Sequence, residues 1–237
     1  MKQERCESGE AHRLPPQVYG FAQAHGEGTP WNLRPRLTAF PIESLCEMKQ
    51  VVRSDSQISS KSWSDFFLHG VKIELPPHST HRVEVEAHEH STAFLNWVIS
   101  RPIKGAATLQ ITYSECYENE PGAYPWSRNK GDRVSPTGKL LGPKDIVLVS
   151  SDDEPMSYEP FWFRTFRFIV VEIEVGESPI ELSSFAAKQV NYPLNQQASF
   201  LAPGIKNSGP IWDVSLRTLR NCMFDGYSDC PFYEQLQ

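Results

Sequence analysis

Two carboxylates five residues apart, Asp229 and Glu234, stand in the run Asn221-Cys-Met-Phe-Asp-Gly-Tyr-Ser-Asp-Cys-Pro-Phe-Tyr-Glu-Gln-Leu-Gln237, which also holds a sharp turn and a helix start. Asp225-Gly226 is a turn signal, and Pro231 suits the first turn of a helix, where its missing N–H costs nothing. Asp229 or Cys230 would cap that helix, with Glu234 in its first turn. Acidic groups on a loop and on the helix that follows it can be presented to a cleft, and paired carboxylates are the working groups of glycoside hydrolysis. The same residues also serve as ordinary helix-start chemistry, because a capping Asp and a first-turn Glu satisfy unpaired N–H groups and complement the helix dipole. Spacing alone favours the capping role.

The segment Leu219 to Gln237 resembles the entry to the catalytic domain of α-L-rhamnosidases of glycoside hydrolase family 78, which carries an Asp-Cys-Pro-x-x-Glu type motif. Three upstream pieces are similar to the β-rich region that precedes the barrel in that family. They are Trp31-Asn-Leu-Arg-Pro-Arg36 with Pro41-Ile-Glu, the loop Lys130-Gly-Asp-Arg133, and Tyr158-Glu-Pro-Phe-Trp-Phe-Arg-Thr-Phe-Arg-Phe168. The resemblance covers most of the chain and is most specific in the last nineteen residues. It implies hydrolysis of terminal α-L-rhamnosides with inversion: one carboxylic acid protonates the leaving oxygen while a second carboxylate activates water from the opposite face. By motif position Glu234 resembles the general acid, and Asp229 resembles the acidic residue that binds rhamnose hydroxyls. The chain has Phe232-Tyr233-Glu234-Gln235 where Gln-Arg-Asp-Glu-Arg often stands, so Asp229 follows the motif more closely than Glu234 does. The family's general base lies downstream of the motif and matches nothing here. The implied partners are rhamnose-containing glycosides, with no cofactor.

The elements that would position these groups read as mainly β. Val71, Ile73 and Leu75 alternate with Lys72 and Glu74, and Val83, Val85 and Ala87 alternate with Glu84 and Glu86, as in half-buried strands. Residues 92–100 are apolar on both faces and therefore more central, and residues 107–113 alternate cleanly. Val147 and Val149 mark another strand, residues 161–175 a long one, and residues 180–190 a last. Short strands between turn residues, without helical periodicity among them, point to an antiparallel jelly-roll type β-sandwich. From Ser208 the period changes. Ile211, Val214, Thr218 and Cys222 form one stripe, and Trp212, Leu216, Leu219 and Met223 an adjacent one, leaving Asp213, Arg217 and Arg220 outside. This predicts a largely buried helix of about four turns.

The expected organisation is an N-terminal arm or remainder of an upstream β-domain over 1–62, the β-sandwich over 63–195, and the first helices of a truncated (α/α)6 six-hairpin barrel over 196–237. Twelve helices of about 11 residues, with connections of about 4 to 6, need on the order of 180 residues. Some forty follow Gln196, so the chain is expected to be the N-terminal part of a larger glycosidase and inactive alone. Two other readings stand beside it: a non-catalytic carbohydrate-binding β-sandwich, and a non-functional fragment.

The irregular segment 118–144 contains Tyr124, Trp126 and Arg133, and aromatic faces among polar groups suit a sugar ring, making these three candidate substrate contacts. Packing of the same aromatics onto the sandwich is the more ordinary role. His88 and His90 have a metal-ligand spacing, but alternation puts them on the outward face with Glu84 and Glu86, so no metal site is expected. A formal charge of −6 argues against nucleic acid or an anionic membrane as partner, and no apolar run could span a bilayer. The start as written has no apolar signal region, which favours a cytoplasmic protein over a secreted one. Five cysteines without Cys-x-x-Cys spacing read as free thiols, with one bridge left open.

Overall fold

Alternating apolar residues of the kind seen at Leu109, Ile111 and Tyr113 bury one side of each strand and pair the strands edge to edge. A computed structural model describes residues 37–120, 129–152, 154–224 and 226–234. Its strands are β1 (Ile42–Leu45), β2 (Met48–Asp55), β3 (Ile73–Leu75), β4 (Thr80–Ile99), β5 (Ala106–Ser114), β6 (Tyr117–Glu118), β7 (Lys139–Leu140), β8 (Lys144–Ser150), β9 (Met156–Tyr158), β10 (Arg164–Val175) and β11 (Ile180–Asn191). Among the described residues, nine strands form one antiparallel sheet with the path β1-β11-β4-β10-β5-β8, while β2 and β9 also pair with β4, and β3 with β11. A small second sheet joins β6 and β7. The helices among the described residues are α1 (Ser60–His69) and α2 (Ser208–Asn221), so the fold is mainly β. Residues 42–55 contribute β1 and β2 to the main sheet.

Strand β4 replaces the two strands expected over 83–87 and 92–100. Its first half pairs with β2 and β10, and its second half with β11 and β9, so the sheet curls along it. The join is a wide irregularity. Ala87 to His90 lie between the paired positions Glu86 and Ser91, while only Arg167 lies between Phe168 and Phe166 on β10. Extra residues in one strand bend it and re-aim their side chains. His88 is therefore exposed and His90 half-buried, rather than both being solvated on one outward face. Glu84 and Glu86 also depart from expectation, at 1% and 4% exposure. Glu84 accepts from Arg53 at 2.5 Å, from Arg82, and from the Tyr117 hydroxyl at 2.7 Å. Glu86 accepts from Gln50 at 2.7 Å, Arg167 at 2.7 Å and Lys49 at 3.1 Å. Burial alone would raise the Glu86 carboxyl, but these three donors outweigh it and hold it below its ordinary value.

Helix α1 was not expected, because the strand pattern was read onward from Trp63. Its signals are local. Ser59 caps it by accepting from the Ser62 N–H at 3.1 Å, Trp63, Phe66 and Phe67 recur at helical spacing, and Gly70 closes it at φ +67°. These rings pack into the main apolar cluster against the sheet, with Phe67 against Phe185 at 5.0 Å between centroids and Trp97 against Phe185 at 4.8 Å. A directed chain of hydrogen bonds ties α1 to β4. The Trp63 Nε1–H donates to Ser56 Oγ at 3.0 Å, and Ser56 Oγ lies 2.7 Å from His81 Nδ1. On the other side of the ring, Ser79 Oγ donates to the Pro76 carbonyl at 2.5 Å and lies 2.8 Å from His81 Nε2. Because the Ser79 proton is committed to Pro76, His81 carries its proton on Nε2 and accepts from Ser56 at Nδ1.

Helix α2 ends at Asn221 with Cys222 as its C-cap, just short of the stripes' end at Met223, and the expected apolar face is only partly covered: Cys222 and Met223 are buried and Trp212 and Leu216 half-buried. Ile211, Val214 and Leu219 are 58%, 44% and 45% exposed. The contacts to the sheet are made by the polar side instead. Arg217 reaches Glu89 in the β4 irregularity at 2.8 Å, and Asn221 Nδ2 donates to the His90 carbonyl at 2.7 Å. Asn191 Nδ2, at the end of β11, donates to the Arg220 carbonyl at 3.2 Å. The sheet edge offers Glu89, Gln189 and Asn191 here, so polar groups dock beside Leu216, and Ile211, Val214 and Leu219 face outward.

Burial pushes the His81 imidazole below its ordinary value. The unfolded chain therefore takes up the proton first as pH falls through about 6.5, and stability present above that pH is lost below it. Melting temperatures between pH 7.5 and 5 should fall more steeply for the wild-type chain than for His81→Gln, which cannot titrate. An unchanged slope would mean that the network tolerates the imidazolium.

Candidate functional site

The motif segment begins where α2 ends and is folded back on itself. Ser228 N–H donates to the Cys222 carbonyl at 2.9 Å, Met223 and Tyr227 bridge, and Phe224 N–H donates to the Gly226 carbonyl at 3.0 Å. The Cys222 thiol lies 3.8 Å from the Asp229 carbonyl, and its burial raises it above the ordinary thiol value. Among the described residues the cysteines, at 46, 116, 222 and 230, are free.

At the helix start expected from Pro231, one turn is described. Glu234 N–H donates to the Cys230 carbonyl at 3.2 Å, the spacing of a first helical turn opened by Cys230. Glu234 Oε2 accepts from the Asp229 N–H at 2.7 Å, a reach-back contact like that of a capping box. Asp229 and Glu234 are thus brought together, both exposed.

Two aromatic residues between them pin the turn to the β-region. Phe232 is buried and lies beside Gly142, where an added Cβ would meet Phe232 Cζ at 3.2 Å and the Tyr113 carbonyl oxygen at 1.7 Å. Only glycine allows the 141–143 link to pass that close to β5. Tyr233 contacts the end of β5, with its hydroxyl 3.5 Å from Glu115 Oε2, and Lys130 sits over its ring at 4.8 Å. Lys130 also pairs with Glu115. Burial alone would raise Glu115 and lower Lys130, but their pairing outweighs it and moves each the opposite way, extending the charged range of both.

Arg133 belongs to the loop that Lys130 ties down. Its carbonyl accepts from the Tyr117 N–H at 3.0 Å, its side chain is exposed, and its charge is felt at Glu115. The structure therefore joins the Lys130–Arg133 loop to the Asp229–Glu234 turn through Tyr233. Tyr124 and Trp126 lie outside the described residues. Sequence reasoning passed over Glu115 and Tyr233 as parts of the site, and His90 beside them. The His90 Nε2 is shut off from solvent without a hydrogen-bond partner among the described residues, and burial lowers its proton affinity.

Comparison with solved structures places this fold. A GH78 family rhamnosidase of Bacillus sp. GL1 matches 74% of this chain, over 17% of its own length, with a TM-score of 0.52 and 22% identity. A rhamnosidase from Klebsiella oxytoca, solved with rhamnose bound, matches 82% of this chain and 38% of its own, with a TM-score of 0.48 and 17% identity. A pectin-binding carbohydrate-binding module matches 64% of this chain and 95% of its own, with a TM-score of 0.30 and 11% identity. No family model and no curated protein matches the chain. What it shares with the Bacillus enzyme is the fold, and it spans a minor part of either rhamnosidase.

The Lys130–Glu115–Tyr233 contact should set the order of the turn. Lys130→Met, which keeps bulk but removes the charge, should speed hydrogen exchange at the Asp229 and Glu234 amides about tenfold, as expected for losing one charged hydrogen bond. Lys130→Arg should restore most of the protection. Equal exchange in all three proteins would mean that Phe232 alone holds the turn.

Proposed function

We propose that this chain is a carbohydrate-recognising β-domain joined to the opening segment of an α-L-rhamnosidase-type glycosidase domain, with terminal α-L-rhamnosides as its ligands. The observation that carries this reading is the turn that holds Asp229 and Glu234 exposed and adjacent, anchored by Phe232 and Tyr233 to the end of β5. The fold shared with the Bacillus enzyme supports it. In this reading residues 63–195 are the antiparallel jelly-roll type sandwich, and residues from 196 onward open the (α/α)6 domain. Apolar clusters on both sides of the sheet support the sandwich, one around Trp63, Trp97 and Ile169 and a smaller one of Tyr117, Leu140, Phe168 and Val170.

Asp229 accepts hydrogen bonds from sugar hydroxyls, a role that an exposed carboxylate beside a fixed backbone performs without rearrangement. Glu234 gives its proton to the glycosidic oxygen, and the water that enters from the opposite face with inversion gives its own to a general-base carboxylate downstream of the motif, which nothing in this chain matches. Arg133, on the loop tied to Tyr233, is the further hydroxyl contact. Binding without turnover is the second reading, and one observation favours it: the Glu234 carboxylate is already engaged by the Asp229 N–H.

Calorimetric titration with L-rhamnose and a p-nitrophenyl α-L-rhamnoside assay test both. Asp229→Asn should weaken L-rhamnose binding by about tenfold or more. Turnover by a chain extended through the rest of the barrel, abolished by Glu234→Gln with binding retained, supports the glycosidase reading, whereas binding without turnover by the extended chain supports the binding module. Absence of saturable L-rhamnose binding overturns both.

A further inference from the structure

The seating of α2 through its polar side creates a second place where polar groups converge. Asp213, Arg217 and Arg220 recur at i, i+4 and i+7 along α2 and so share one side of it. That side faces the edge of the sheet where Ser44 of β1 stands in register with Gln189 of β11. Between helix and sheet lies a cleft of about 400 Å³, lined by Ser44, Glu89, Asn191, Asp213, Arg217 and Arg220 among others. Its volume falls in the range of small-molecule sites.

We infer that this cleft binds a neutral monosaccharide unit, at a site separate from the Asp229–Glu234 turn. Three features lead there. The lining balances two carboxylates, Glu89 and Asp213, against two guanidinium groups, Arg217 and Arg220, so it offers no net charge to an anion or a cation. It supplies acceptors, donors, amides and a hydroxyl together, and each sugar hydroxyl both donates and accepts, so vicinal diols match carboxylate and guanidinium pairs. Leu216 adds an apolar contact for the C–H face of a ring.

The cleft is also held in shape before any ligand arrives. The Arg217–Glu89 contact at 2.8 Å and the Asn221–His90 contact at 2.7 Å fix one wall. Asn191 Nδ2 fixes the other, lying within 3.3 Å of both Thr92 Oγ1 and Asn221 Oδ1. Preformed walls spare the ordering cost that an open surface imposes on a weak ligand. Asp213 and Arg220 are exposed residues outside those wall contacts; one guanidinium nitrogen of Arg220 donates to Gln196 Oε1 at 3.5 Å, and its other donors face the cleft with Asp213.

Saturation-transfer NMR and calorimetry with L-rhamnose, D-glucose and D-galactose test the cleft in the Asp229→Asn, Glu234→Gln background, so that failure of the motif reading and failure of this one are read separately. Saturable binding of at least one neutral sugar is expected. Adding Asp213→Ala or Arg220→Ala should weaken it about tenfold each, with the melting curve preserved. D-glucuronate and D-glucosamine should bind no tighter than D-glucose. The inference is overturned if no neutral sugar binds saturably, if neither substitution weakens binding, or if D-glucuronate binds far tighter than D-glucose in a salt-sensitive manner, which would make the cleft an anion site.

Discussion

The irregularity at Ala87–His90 in β4 is the constraint on which the rest of the arrangement depends. A strand of 20 residues that kept one register would carry a single set of side chains along one face of the sheet for its whole length. Four residues set against one on β10 break that alternation and bend the strand. The first half then serves β2 and β10, and the second half serves β11 and β9. The bend also turns backbone and side chains outward at one point, where the His90 carbonyl and the Glu89 carboxylate receive Asn221 and Arg217 of α2. The seating of α2, and with it the start of the motif segment, follows from this local departure.

A second consequence is electrostatic. Glu84 and Glu86, just before the bend, are covered and would be costly there without partners, since an unpaired buried carboxylate loses its hydration with nothing in return. Each has three donors, drawn from Lys49, Gln50, Arg53, Arg82, Tyr117 and Arg167. These donors come from β2, β4, β6 and β10, so satisfying the two glutamates fixes the positions of four strands at once. His81 does the same with neutral groups, linking the link after β2, helix α1 and the turn before β4 through one imidazole of defined tautomer.

Strand existence was readable because alternation is a short-range property: β5, β8, β10 and β11 stand close to where the pattern puts them. The two pieces of β4 were readable as strands, but their continuity was not, because a bulge interrupts the period without ending the pairing. Helix α1 was overlooked although Ser59, the Trp63–Phe66–Phe67 spacing and Gly70 announce it, since three aromatic residues in a short run carry strand propensity as well. The α2 helix was readable in place and length, but its facing was not. Periodicity identifies an apolar stripe without identifying what lies opposite, and here a polar sheet edge with Glu89 and Asn191 meets the polar side. At the candidate site, the motif singles out Asp229 and Glu234 and the loop Arg133, and the fold brings the loop and the turn together through Tyr233. Glu115 lies far from both in sequence and signals nothing by itself, and only the folded chain brings it to Lys130 and Tyr233.

The Asp229–Glu234 turn joins two demands on one carboxylate. Glu234 accepts the Asp229 N–H at 2.7 Å and so closes the first turn of its own helix start. For Glu234 to protonate a leaving oxygen, that hydrogen bond has to be exchanged for one to the substrate. The backbone before it has little room to assist, because Phe232 is packed against the 141–143 link and Tyr233 is held by Glu115 and Lys130. Rotation of the Glu234 side chain about its own bonds is enough to release that contact. Asp229 is placed differently, since its N–H is the donor in this contact and its carboxylate stands exposed on the loop. A ligand hydroxyl can meet Asp229 without breaking anything, whereas engaging Glu234 breaks the hydrogen bond from the Asp229 N–H, which substrate or water then has to replace. On the proposed reading, recognition at Asp229 would precede any chemistry at Glu234, and a ligand that filled the first position without reaching the second would be bound and left intact.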